Sequence, residues 1–173
     1  MTHDLAHWVR AFRGRRVLLV GDLILDRYIY GDAERISPEA PVPVLRAVET
    51  REAVGGCANV AACLRALGCE VVCCGTVGAD RHGETLLRLL RELGVDASAL
   101  LTQLDRPTTT KTRLVGLAQH RHRQQLLRLD EEDGRPLPDA ATKKLVESAS
   151  RRIVDCDVVC IEDYDKGVVT ESL

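Results

Sequence analysis

Aromatic rings are nearly missing from this sequence: one Trp, one Phe and three Tyr amount to 3% of 173 residues, so a core must be assembled from Leu, Val and Ala. An excess of charge of one sign is missing too. The 24 Lys and Arg stand against 26 Asp and Glu, a net charge of −2, which leaves no basic face for a nucleic-acid partner. Small anionic ligands stay open, because they need only a few local cations. Long hydrophobic runs are absent: the first apolar run, residues 17–20, is far too short for a membrane span or the core of a signal peptide, and the start, Met1-Thr2-His3-Asp4, is polar. No Cys-x-x-Cys pair occurs among the seven cysteines, and each lies in an apolar stretch such as Val71-Val72-Cys73-Cys74. That usage points to reduced thiols filling core space in a cytoplasmic protein, rather than to a disulfide framework or a zinc site.

What is present suits a single folded domain. Hydrophobic residues make up 45% and charged residues 29%, enough apolar material for a core and too much of it for a disordered chain. Residues 2–13 carry Leu5, Trp8, Val9 and Phe12 at helical spacing. Arg16-Val17-Leu18-Leu19-Val20-Gly21-Asp22 reads as a strand buried on both faces of a parallel sheet. A helix from Gly55-Gly56 to about Leu67, a strand over 70–77, a helix over 81–93 and a strand near 98–102 follow, then a helix from Pro138 to about Ile153 and a buried strand over 157–161. Residues 167–173 read as the start of a helix.

Strands that alternate with helices predict an α/β fold, a parallel sheet flanked by helices. Two β-rich segments, about 27–53 and 107–129, break the alternation and are expected to pair into a small antiparallel lid over the carboxyl edge of the sheet. Its hairpin tip, His120-Arg121-His122-Arg123, reads as exposed and basic, and His82 as solvated.

The most specific pattern is Gly55-Gly56-Cys57-Ala58-Asn59-Val60-Ala61, with Gly68 and Gly78 downstream. Paired glycines ahead of a helix let backbone N–H groups approach a ligand closely, with the helix N-terminus behind them. Asn59, one turn in, can both donate to and accept from a hydroxyl. This spacing resembles the N-terminal signature of the ribokinase (PfkB) family of carbohydrate kinases, and Val77-Gly78-Ala79-Asp80-Arg81-His82-Gly83 continues the likeness. Asp80 there reads as a helix N-cap, not as the family's catalytic aspartate. Gly21-Asp22-Leu23-Ile24-Leu25-Asp26-Arg27-Tyr28, the stretch from Arg35 to Val44, Gln124 to Asp130, and Asp163-Tyr164-Asp165-Lys166-Gly167 resemble the heptose 7-phosphate kinase branch of lipopolysaccharide-core synthesis.

The resemblance implies a ribokinase-like fold and a set of sugar-site positions. Asp22 and Asp26 would accept from sugar hydroxyls at a strand end, with Gly55, Gly56 and Asn59 beside them. Lys111, Arg113 and Arg128 would hold the phosphate of a phosphorylated sugar, since Arg pairs with phosphate through two hydrogen bonds. Asp163 and Lys166 would lie near the path of the transferred phosphate. The resemblance also implies ATP and Mg²⁺ as co-substrates and a homodimer formed through the β lid.

The family's catalytic aspartate sits in a Gly-Ala-Gly-Asp loop, and no Gly-x-Gly-Asp occurs in these 173 residues. The sequence therefore reads as an incomplete kinase domain, its base expected beyond Leu173, no metal-ligating residue assigned, and its apolar sheet edge uncovered. Two other readings stay open: a kinase for a different sugar or nucleoside, and a non-catalytic module that binds sugar phosphate or dimerises through its lid. A dinucleotide-binding domain is disfavoured, because Gly-Asp-Leu-Ile-Leu-Asp follows the first strand where a Gly-rich turn would be needed.

Overall fold

Val17, Leu18, Leu19 and Val20 are all buried, and they divide their side chains between two cores. Val17 and Leu19 join one cluster with Val71 and Cys73, while Leu18 and Val20 join another with Val72 and Cys74. Alternate residues of a strand point to opposite faces, so a sheet covered on both sides demands an unbroken apolar run. The computed structural model describes residues 5–117, 123–171 and 173. Among them, β1 (Arg16–Gly21) lies in a four-stranded parallel sheet of order β5-β4-β1-β8, with β4 (Glu70–Gly78), β5 (Asp96–Gln103) and β8 (Val158–Glu162). Helices α2 (Cys57–Ala66) and α3 (Arg81–Glu92) supply residues to the first core and α4 (Asp139–Ile153) to the second. A short α1 (Leu5–Ala11) precedes β1. Beside β1, the edge strand β8 leaves Val158, Val159 and Ile161 exposed, an apolar edge open to solvent.

The second sheet runs β3-β2-β6-β7, with β2 (Leu23–Ile36), β3 (Pro43–Gly56), β6 (Thr110–Gly116) and β7 (Gln124–Glu131). Its first hairpin is longer than the expected 27–53, because β2 begins directly after Asp22 and β3 runs into Gly56. The expected antiparallel layer is a mixed one. β2–β3 and β6–β7 pair antiparallel, but the central β2–β6 pair is parallel. The reason is topological: β2 follows β1 and β6 follows β5, so both leave the carboxyl ends of parallel strands heading the same way. Positions 120–122 of the anticipated basic tip lie outside the described residues.

Two further expectations are corrected. His82 is buried, not solvated. It shares the inner face of α3 with Leu86 and Leu90 at i, i+4, i+8, and its ring contacts the Thr110 hydroxyl at 3.2 Å and accepts from Arg81 Nε at 3.2 Å. Residues 167–171 form no helix where one was expected, with bends at 167–168 and a turn at 171. Asp165 and Gly167 take φ of 57° and 77°, which a right-handed helix does not allow. The cysteines are all free; Cys57, Cys69, Cys73 and Cys74 are buried as anticipated, whereas Cys63 is exposed on α2. Contact with the Cys73 thiol, and then burial, push the Cys57 thiol far up. It therefore stays a neutral thiol although it opens a helix, where a thiolate is usually favoured.

Asp80 is the N-cap of α3, as read from the sequence, and it does more. Its carboxylate accepts from Gly83 N at 2.7 Å, from Thr108 N at 2.8 Å and from the Thr108 hydroxyl at 2.9 Å, which joins α3 to the chain entering β6. Burial pushes this carboxyl up, but the hydrogen bonds from Thr108 and Gly83 outweigh it and hold the pKa below the usual value. A depressed folded-state pKa contributes stability that is present above the unfolded value, near about 4, and is lost as pH falls through the lower folded value. Asp80→Ala is expected to cost about 2 kcal/mol at neutral pH. Urea unfolding followed from neutral pH down to about pH 3 should show a shallower acid-side decline for the variant, and an unchanged acid limb would count against this assignment.

Candidate functional site

The site is assembled where β3 turns into α2 without a linker. Gly55 stands opposite Ile24 and Gly56 opposite Leu23 in the β2–β3 ladder, and Gly56 is already the N-cap of α2, at φ 53° and ψ −136°. A Cβ on Gly56 would lie 2.6 Å from the Asp22 carbonyl oxygen, and one on Gly55 would lie 2.5 Å from Asp26 Oδ2. Gly56 thus lets the start of α2 close against the Asp22 backbone, and Gly55 lets the chain before it close against the Asp26 carboxylate. Asn59 follows in the first turn and is exposed.

Asp26 begins a row of side chains on one face of the lid. Alternation along β2 puts Asp26, Tyr28 and Tyr30 on that face. Register with β6 sets Lys111 beside Asp26 and Arg113 beside Tyr28, and register with β7 sets Arg128 beside Arg113 and Asp130 beside Lys111. Arg113 Nη1 donates to Asp26 Oδ1 at 2.5 Å, and its guanidinium lies 5.1 Å over the Tyr28 ring. Tyr28 stacks on Tyr30 with centroids 6.2 Å apart. Arg128 donates to both oxygens of Asp130, at 2.9 Å each. The hydrogen bond to Asp26 raises the pKa of Arg113 further above its ordinary value. Among the described residues Lys111 takes part in no ion pair, and its register sets it between Asp26 and Asp130.

Asp22, expected to receive sugar hydroxyls, is placed differently. It is buried, and its carboxylate accepts from Tyr164 N at 2.8 Å, Lys166 N at 3.1 Å and Val168 N at 3.3 Å. The side chain holds the loop after β8, with Oδ2 accepting two of these amides and Oδ1 the third. Asp163 is exposed and accepts from the Asp165 amide at 2.8 Å. Lys166 pairs through Nζ with Glu132 at 3.1 Å, just past the end of β7. Asp26, Gly55, Gly56, Lys111, Arg113 and Arg128 are therefore gathered on the lid side, while Asp22, Asp163 and Lys166 belong to the β8 loop.

Sequence reasoning missed two kinds of residue here. Arg106 donates to the carbonyls of Lys166, at 2.9 Å, and of Arg135, binding three loops together; nothing around it in the sequence marks it. Tyr28 and Tyr30 were given no role at the site, although their two-residue spacing from Asp26 places them on its face.

A model of the pfkB family of carbohydrate kinases matches residues 15–151. The bifunctional protein HldE of Desulfatibacillum aliphaticivorans is 41% identical over 165 residues, 95% of this chain and 33% of that protein. HldE of Helicobacter pylori is 42% identical over 159 residues, 92% of this chain and 33% of that protein. The chain thus spans about a third of the length of the curated relatives it matches. Among solved structures, a carbohydrate kinase from Agrobacterium tumefaciens superposes with a TM-score of 0.65 at 24% identity, covering 85% of this chain and 45% of that one. Arabidopsis thaliana ribokinase complexed with ribose and ATP superposes with a TM-score of 0.55 at 17% identity, covering 86% and 45%. These two likenesses bear on the fold, which is ribokinase-like, with a parallel sheet and a second, mixed sheet. With the family model matched over residues 15–151, most of this chain, the chain belongs to the pfkB family of carbohydrate kinases.

Proposed function

We propose that this chain carries the sugar-binding part of an ATP-dependent kinase that phosphorylates the anomeric hydroxyl of a heptose 7-phosphate, a step toward lipopolysaccharide-core precursors, in the cytoplasm. The observation that carries the reading is the shared face of Asp26, Lys111, Arg113 and Arg128 beside the Gly55-Gly56 helix start, in a pfkB chain related to HldE proteins. Asp26 accepts from sugar hydroxyls, Asn59 and the amides freed by Gly55 and Gly56 line the same end, and the three cations receive the phosphate. Asp22 serves indirectly, by holding Asp163 and Lys166 in place.

ATP and Mg²⁺ supply the phosphoryl donor and its charge neutralisation. Among the described residues no group of three or more His, Cys, Asp or Glu side chains is gathered to hold a metal ion, and none is assigned to Mg²⁺. The 173 residues contain no Gly-x-Gly-Asp, so the chain alone is expected to bind ligand without consuming ATP. The lid's β7 edge, with Leu127 and Leu129 exposed, favours pairing of two copies through the lid.

Isothermal titration calorimetry of the chain with D-glycero-D-manno-heptose 7-phosphate tests the reading, with ATP consumption assayed in parallel. Saturable binding at least about tenfold tighter than for the dephosphorylated heptose is expected, a gap of about 1.4 kcal/mol. Equal or better binding of an unphosphorylated sugar or a nucleoside would replace it with the second reading, a kinase for a different substrate. ATP turnover by the chain would refute its expected inactivity.

A further inference from the structure

The following rests on the reading of Arg113 and Lys111 as phosphate ligands. Asp26 and Arg113 are the two residues that reading asks to face different parts of one substrate, yet in the structure they hold each other. Their contact is 2.5 Å, and their side chains are only 21% and 22% exposed. A sugar without phosphate that takes Asp26 leaves a half-buried guanidinium without a counter-ion. A phosphate without the sugar that takes Arg113 leaves a half-buried carboxylate in the same position. Stripping one partner from such a pair is costly, because the charge left behind has lost both water and its neighbour. A ligand that brings both groups exchanges one ion pair for two sets of contacts and strands neither.

The geometry supplies a route for that exchange. Arg113 stands opposite Tyr28, two positions along from Asp26, a rise of roughly 6.6 Å on β2, so the guanidinium reaches back along the strand to make the pair. It does so across the face of Tyr28, which can keep supporting the cation as it turns away from Asp26. Lys111 stands directly opposite Asp26 and is committed to no ion pair among the described residues, so it can join Arg113 on the incoming phosphate while the sugar hydroxyls take over at Asp26. We propose that the Asp26–Arg113 pair is a self-closing latch that sets specificity, opened by a ligand that carries sugar hydroxyls and a phosphate on one molecule and kept shut against either group alone.

A latch makes an unusual prediction, that removing either partner improves binding of the fragment the other recognises. Calorimetry at fixed ionic strength would use three probes: inorganic phosphate, the heptose and its 7-phosphate. Asp26→Asn keeps the shape, releases Arg113 and is expected to bind inorganic phosphate about tenfold tighter than the wild type. Arg113→Gln releases Asp26 and is expected to bind the dephosphorylated heptose tighter, and the 7-phosphate about tenfold weaker. Thermal melts identify a variant that has not folded, and each variant tests the latch without the other. Phosphate affinity unchanged or weakened in folded Asp26→Asn, or heptose affinity unchanged in folded Arg113→Gln, would overturn the proposal. If the wild type binds the 7-phosphate but neither variant gains affinity, the latch fails and the functional reading stands. If Asp26→Asn gains phosphate affinity but the wild type ignores the 7-phosphate, the latch stands and the functional reading fails.

Discussion

Asp22→Ala is expected to release the loop after β8 and to destabilise the chain by roughly 3–5 kcal/mol, a substantial share of the roughly 5–15 kcal/mol that a folded domain has in hand. The carboxylate is buried and receives three backbone amides, of Tyr164, Lys166 and Val168. Hydrogen bonds to a charged acceptor are worth about 1.5–3 kcal/mol each when the donors have no other partner, but a loop that detaches recovers part of this from water. What it cannot recover is its packing. Val168 is buried in the core under α4 with Leu137 and Leu145, and Leu137 N donates to the Gly167 carbonyl at 3.0 Å. Loosening the loop therefore loosens the approach to α4 as well. Urea unfolding should show the loss, and hydrogen exchange should show deprotection centred on residues 164, 166 and 168. Asp22→Asn should fall between, since one oxygen still accepts while the new amide opposes an N–H. Full stability in Asp22→Ala with lost sugar binding would return Asp22 to the role of direct ligand.

That contrast between Asp22 and Asp26 marks where the sequence stops being readable. Period and composition place Asp22 at a strand end, because the run 17–20 and the glycine after it identify a buried parallel strand, whereas Asp26, four residues on, is marked by the family resemblance. Which of the two faces a ligand depends on what returns to that strand end 140 residues later, and no local pattern encodes the amides of 164, 166 and 168. The same holds for Arg106, whose partners are carbonyl groups on two remote loops. His82 is different: its spacing to Leu86 and Leu90 made it legible as an inner-face residue, and only the habit of assigning histidine to solvent hid it. The mixed lid was legible in part. Alternation gave its strands, and cross-strand register, which brings Lys111 to Asp26 and Arg113 to Tyr28, is fixed by long-range pairing alone. Motif spacing carried the helix start at Gly55-Gly56 well, because a close backbone approach tolerates few residue types.

Gly56→Ala is the substitution expected to damage both fold and site, by about 3–4 kcal/mol. Gly56 has φ 53° with ψ −136°, a combination that only glycine adopts without strain, worth about 1–3 kcal/mol by itself. The added methyl would also meet the Asp22 carbonyl oxygen at 2.6 Å and the Ile24 side chain at 2.9 Å. That oxygen cannot yield cheaply, because it accepts the Cys57 amide at 2.9 Å, the first N–H of α2. Relieving the clash means moving the helix start away from β2, and the amides proposed to meet the sugar move with it. Gly55→Ala isolates the second effect. Its methyl would meet mainly the Asp26 carboxylate, at 2.5 Å, the far end of a side chain that can swing aside. The two variants should therefore separate in measurement: Gly56→Ala loses urea stability and heptose 7-phosphate affinity together, whereas Gly55→Ala keeps most of its stability and loses affinity because Asp26 is displaced. Equal stability loss in both would mean that Asp26 is as fixed as the backbone, and a site whose carboxylate cannot move could not exchange Arg113 for a ligand.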